Sequence, residues 1–197
     1  MIGLRRSAVA IAMAAVTLAG CASSPPSSFY TLTAASAPSS STTVPSYGVS
    51  VGPVTIPETV DRPQLALQLS PNQVALDEFH RWAEPLASGI AQAVAENLRR
   101  LLGTPRIAAA PGVAGRSPEY RVALNVVRFE SKLGNSADVD ILWTIESASG
   151  KRLRTGRSAI AQPAGAGYDA LVAAHSQALA RASEDIAAAL RSLNGGS

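Results

Sequence analysis

The only cysteine of this 197-residue chain, Cys21, closes its first apolar stretch, and that placement constrains what the chain can fold into more than any other feature. Arg5 and Arg6 give a basic start, an apolar run extends from Ser7 to Leu18, and Leu18-Ala19-Gly20 precede the thiol. The run of about a dozen residues is shorter than the roughly 20 that a membrane-spanning helix needs, so residues 1–20 read as a cleaved secretory signal ending in a lipobox. Cleavage before Cys21 leaves its thiol free for a diacylglyceryl group and its amine free for acylation. Two or three acyl chains hold a protein to a membrane where one, at about 0.8 kcal/mol per buried CH₂, binds marginally. With the thiol committed to lipid, no disulfide is available in an oxidising compartment, and the rest must fold on a hydrophobic core alone. Ala22 and Ser23 follow Cys21 with no aspartate to retain the product at the inner membrane of a diderm bacterium. The reading therefore places it on the periplasmic face of the outer membrane.

Charge narrows the partners. The 17 basic and 14 acidic residues become 15 and 14 once Arg5 and Arg6 leave with the signal. So even a balance gives no warrant for a nucleic-acid or anionic-lipid binder. Residues 21–46 are rich in Ser, Pro, Thr and Ala, a composition that buries too little apolar surface to order itself, and read as a lipidated flexible tether. Fully stretched, such a leash reaches about 80 Å, and as a coil about 30 Å. Phe29-Tyr30-Thr31-Leu32 interrupts it with strand-favouring residues suited to an edge strand, which would shorten it.

Residues 47–197 carry the folded domain. Tyr47, Val49 and Val51 alternate with small residues until Pro53 and Pro57; Leu65, Leu67 and Leu69 alternate up to Ser70-Pro71-Asn72, and Val74 and Leu76 resume the pattern as a hairpin. Pro85 opens a helix whose Leu86, Ile90, Val94, Leu98 and Leu101 keep helical spacing, and Gly103 and Pro105 stop it. Arg106 to Ala110 reads as a short strand and 111–118 as a loop. Tyr120 to Val126, Val139 to Ile145 and Lys151 to Ile160 form a meander. Tyr168 to Leu193 is a last helix with Val172, Leu179, Ile186 and Leu190 on one stripe. The expected fold is α/β, a single mixed, largely antiparallel sheet covered by two long helices.

The chemical inventory is thin. Only His80 and His175 exist, and no nucleophile elbow, Walker loop, zinc-binding helix or paired-cysteine motif occurs. Asp77 and Glu78, adjacent in a strand, point to opposite faces and do not share a proton. His175 reads as a satisfied histidine at the border of the last helix's apolar stripe. The reading is of no enzyme, no metal and no cofactor.

Two clusters remain. In His80-Arg81-Trp82-Ala83-Glu84-Pro85-Leu86 a strand becomes a helix: Glu84 suits the helix N-terminus, Arg81 is close enough to pair with it, and Trp82 is the packing anchor. The cluster, through His80, Arg81, Trp82, Glu84 and Pro85, reads as a rigid elbow or as a surface that grips a partner protein, and the two readings are compatible. The second cluster is Lys151, Arg152, Arg154 and Arg157 on one short strand. A turn at Ser149-Gly150 would set Glu146 opposite Lys151 and Asp140 roughly opposite Arg157 as cross-strand ion pairs. Such a charged edge deters aggregation. Alternatively Arg152 and Arg154, sharing the other face, form a basic docking patch for lipid head groups or an acidic partner.

Taken together, several strings resemble one family, the auxiliary lipoproteins of MCE-type ABC transport systems of the paraquat-inducible protein C type. They are the lipobox at Cys21, Phe29-Tyr30-Thr31-Leu32, Val51-Gly52-Pro53-Val54 with Ile56-Pro57, and Arg62-Pro63-Gln64. They continue in family order with His80 to Leu86, Arg128-Phe129-Glu130, Trp143 and Gly167-Tyr168. The resemblance implies an outer-membrane lipoprotein, without active site or cofactor, that docks a periplasmic MCE-domain protein serving intermembrane lipid transport. A homo-oligomeric ring around the tunnel end fits that role. The alternative is a structural or assembly lipoprotein of the envelope that binds a protein partner without taking part in lipid transport.

Overall fold

Alternating apolar residues become strands and apolar residues at helical spacing become helices, in a computed structural model that describes residues 25–37, 45–110 and 118–194. The signal and Cys21 lie outside the described residues. The elements are β1 (Ser28–Tyr30), β2 (Val49–Thr55), β3 (Gln64–Ser70), β4 (Gln73–Trp82), α1 (Leu86–Leu102), β5 (Ile107–Ala109), β6 (Tyr120–Lys132), β7 (Ser136–Ser147), β8 (Arg152–Pro163) and α2 (Tyr168–Asn194).

The eight strands form one mixed sheet with β6 as its spine. One edge of β6 pairs antiparallel with β7 from Tyr120↔Ser147 to Lys132↔Ser136, and β8 extends that ladder. The other edge is shared: β2 runs parallel to its first half, and β3 meets it at Leu67↔Ser131. Beyond β2 lies β5, parallel; beyond β3 come β4, antiparallel, and β1, parallel to β4. The long ladders are antiparallel and the four parallel pairings are short, so the sheet is mixed in the sense the alternation suggested.

Both helices cover one face, α1 over β2 and β5, α2 over β7 and β8, and they pack on each other. Val49, Val51, Val122, Leu124, Ile141 and Ile145 meet Ile90, Val94, Leu98, Leu179, Ile186 and Leu190 in one core. Small residues set the approach. Buried Ala93, Ala95, Ala178, Ala182 and Ala187 keep the helices close, and Gly156 leaves room for the Trp143 ring, where an added Cβ would come within 2.1 Å. The Trp143 indole N–H donates to Ser158, whose hydroxyl donates to Asp185 of α2, tying both outer strands to the helix. Gly103, with φ 65°, ends α1 in the left-handed conformation a glycine adopts without strain, its N–H bonded to the Arg99 carbonyl.

Two strands are longer than the alternation implied. A register shift between Val126 and Arg128 lets β6 continue with Phe129 back on the buried face. In β4 a register shift beyond Leu65↔Asp77 carries the strand to Trp82.

The tether is corrected over its described part. Ser28 to Tyr30 pair with His80 to Trp82 as the edge strand the residues suited. Residues beyond it are laced across the helix layer: Leu32 is buried, Thr33 N–H donates to Ser176 Oγ, and Ala35 and Ser36 N–H both donate to Asn97 Oδ1. Arg100 donates to the Ala34 carbonyl. Composition missed this because the segment holds through its backbone, on side chains supplied by α1 and α2. Six residues, not about 25, separate Cys21 from the first strand, seven steps of chain with a reach of about 25 Å.

Candidate functional site

The turn from β4 into α1 is held from four sides. Trp82 is 7% exposed and meets Phe129 and His175 edge-on at 6.2 and 6.5 Å. Its backbone N–H donates to the Pro63 carbonyl, and the next, from Ala83, to the Tyr30 carbonyl. Pro85 stands just before the helix, and its carbonyl accepts the N–H groups of Ser88 and Gly89. Glu84 lies over Gly89, where a Cβ would sit 3.6 Å from its carboxylate, and accepts a hydrogen bond from Gln92 at 2.7 Å. The expected Arg81–Glu84 pair is therefore absent: Gln92 satisfies Glu84 instead. Arg81 stands cross-strand from Phe29, its side chain without a hydrogen-bond or ion-pair partner among the described residues. Above the elbow opens a groove of about 410 Å³ lined by Asp61, Arg62, Pro63, Trp82, Ala83, Glu84, Pro85 and Leu86.

Beside the elbow three rings stack. His80 lies flat on Tyr168 at 3.6 Å, and Tyr30 flanks both at 5.9 and 6.1 Å. Asp77 organises them: its carboxylate accepts hydrogen bonds from the Tyr168 hydroxyl and from the N–H groups of Phe79 and His80, and lies 3.0 Å from His80 Nδ1. Burial pushes the Asp77 carboxyl up, but these hydrogen bonds outweigh it and hold it at about 2. The Tyr168 hydroxyl is pushed up to about 12 by burial and by its bond to that carboxylate.

His175 is not at a border: it is fully buried, stacked on Phe129 at 4.0 Å, with Nε2 2.8 Å from Ser131 Oγ and Nδ1 without a partner. Burial lowers its pKa to about 3, so the ring is neutral. The Ser131–His175 pair has the spacing of a nucleophile and its base, but both residues are sealed from solvent. Among the described residues no three His, Cys, Asp or Glu side chains gather as a metal site.

Tyr30, the elbow residues, Phe129 and Tyr168, far apart in sequence, thus meet at one side of the fold. The ABC-type transport auxiliary lipoprotein component family matches residues 30–187, most of the chain. The chain belongs to this family. Solved structures agree in fold. This auxiliary lipoprotein superposes on a crystal structure of a Xanthomonas campestris protein with a TM-score of 0.67 at 17% identity, over 82% of this chain and 93% of that one. It superposes on an uncharacterized protein with 0.65 at 20% identity, over 84% and 99%. No curated protein matches the chain. No helix among the described residues of this auxiliary lipoprotein is long and apolar enough to cross a membrane.

The basic strand divides. A register shift between Ile145 and Glu146 sets Arg154 opposite Ile145, on the helix side, where it donates to Ser192. Arg152 is set opposite Glu146, the place the sequence assigned to Lys151. Arg152 and Arg154 thus form no common patch. Arg157 is in register with Leu142 and reaches diagonally to Asp140 through two hydrogen bonds of 2.9 and 2.6 Å. Sequence reasoning missed Asp77 and Asn97 as organising residues. Asn97 left a signal, a polar side chain within the apolar stripe of α1, whereas Asp77 gains its role only from a Tyr168 supplied ninety-one residues away.

Proposed function

We propose that this auxiliary lipoprotein is acylated at Cys21, sits on the periplasmic face of the outer membrane, and docks a periplasmic MCE-domain protein of an intermembrane lipid transport system without performing bond chemistry. The observation that carries the reading is convergence: strings resembling the MCE auxiliary lipoproteins, Phe29-Tyr30, His80 to Leu86 and Gly167-Tyr168, build one rigid corner with an open groove and an unpaired arginine beside it. In this corner Trp82 is the buried support, and Arg81, Ala83 and the groove walls are the surface offered to the partner.

Co-purification with a periplasmic MCE-domain protein of the same cell tests it. Arg81→Glu with Ala83→Glu, the first half-buried and the second exposed, is expected to abolish capture while the protein stays folded by circular dichroism. Undiminished capture by that folded variant rejects the docking surface. A closed ring of copies suits a subunit at the end of a tunnel, and native mass measurement giving only monomer at high concentration rejects the ring.

A further inference from the structure

We propose that the tip of the β3–β4 hairpin, with the β6–β7 turn beside it, seats directly in the surface of the bilayer that holds the acyl chains, an inference resting on the Cys21 anchor proposed above. From Gln64 to Leu76 the hairpin carries no charged residue. Four of the eight exposed large apolar side chains among the described residues gather here: Leu69, Val74 and Leu76 on the hairpin and Leu133 on the turn. They lie on both sides of it. Leu69 and Leu133 share a hollow of about 570 Å³ with Leu67 and, at its β6 side, the ion-paired Glu130 and Lys132, while Val74 lines a groove of about 360 Å³ with Ala66, Arg128 and Glu130, and consecutive strand residues such as Ala66 and Leu67 face opposite ways.

An uncharged edge with apolar side chains exposed on both faces is an aggregation hazard in water, and a groove for one protein partner needs only one face. A bilayer covers both at once. The anchor's reach agrees. Ser28 is level with His80, and seven steps of chain lead back from it to Cys21, about 25 Å. Seven steps of β4 lead from His80 to Gln73 at the tip, about 24 Å. The acyl chains therefore reach the level of the tip, and the elbow at the other end of β4 points away from the membrane toward a periplasmic partner.

The test uses the acylated full chain in vesicles of phosphatidylethanolamine and phosphatidylglycerol containing a nitroxide-labelled lipid. With Cys21 acylated, Leu69→Cys and Leu76→Cys each supply the one free thiol for a fluorophore, and Ser149→Cys places it on the far β7–β8 turn. Lipid-borne quenching several-fold stronger at 69 and 76 than at 149 is the expected result. A protein that floats with its vesicles while all three labels stay equally open to aqueous iodide overturns the seating and leaves the anchor standing. Labels at 69 and 76 already shielded from iodide in a vesicle-free Cys21→Ser chain mean that another copy covers the tip, which also overturns it. A chain without an acyl group at Cys21 by mass, and without flotation, defeats the anchor and this inference together.

Discussion

The β3–β4 and β7–β8 hairpins belong to one sheet and protect themselves in opposite ways. From Ser136 to Pro163 the second carries seven charged residues, and its open face is laced by ion pairs. Asp138 takes Lys132, and Asp140 takes Arg157, whose hydrogen bond holds the Asp140 carboxyl below the usual range. That is how a sheet edge survives in water. The first hairpin has no such charge up to Leu76 and exposes leucine and valine instead. Its root, by contrast, is core, with Trp82, Phe129 and His175 in mutual contact. The difference teaches that one hairpin is finished by the protein itself and the other is left for its surroundings to finish.

Root and tip of β4 give the largest contrast. Trp82→Ala removes a buried ring and is expected to cost about 3–5 kcal/mol in urea unfolding; a loss under about 1 kcal/mol would mean that the elbow is not supported by the core. His175 sharpens the picture of the root through pH. An unfolded histidine takes up a proton below about pH 6.5, which the buried ring, lowered to about 3, does not. Its contribution is therefore complete above pH 6.5 and is lost as pH falls toward 3, with about 2 kcal/mol gone by pH 5. His175→Gln is expected to flatten that slope. Asp77, held at about 2, acts lower: its contribution is full above about pH 4 and is lost as pH falls through 2. Asn97→Ala strands the N–H groups of Ala35 and Ser36 and is expected to cost about 1–3 kcal/mol, with early proteolysis near Thr33. Leu76→Ser at the tip is expected to move stability by less than about 0.5 kcal/mol, since nothing in the fold depends on that side chain.

Much of this was legible in the chain. Period-two runs at Leu65 to Leu76 and Tyr120 to Ile145, and the stops at Gly103 and Pro105, mark strands and α1 because local periodicity and backbone chemistry suffice for them. The elbow at His80 to Leu86 was legible as a cluster, but not which of its residues is buried: Trp82 goes inside and Arg81 stays half-exposed through pairings with β1 and β3 that lie far off in sequence. Register shifts at Val126 and Ile145 changed the partners of Phe129 and Arg152, and a one-residue slip leaves no compositional trace. The strap from Thr31 to Ser36 was illegible for a different reason: its own side chains are those of a linker, and the bonds that hold it belong to Asn97 and Ser176.

β1, with the strap that follows it, converts a long leash into a short one and brings the uncharged hairpin within reach of the anchored end. Amide hydrogen exchange measures it residue by residue. Thr33, Ala35 and Ser36 are expected to exchange far more slowly than free chain and to lose that protection in Asn97→Ala and Ser176→Ala. Exchange at free-chain rates at these amides and across Ser28 to Tyr30 in the unaltered protein would return residues 28–37 to the leash and contradict the short tether.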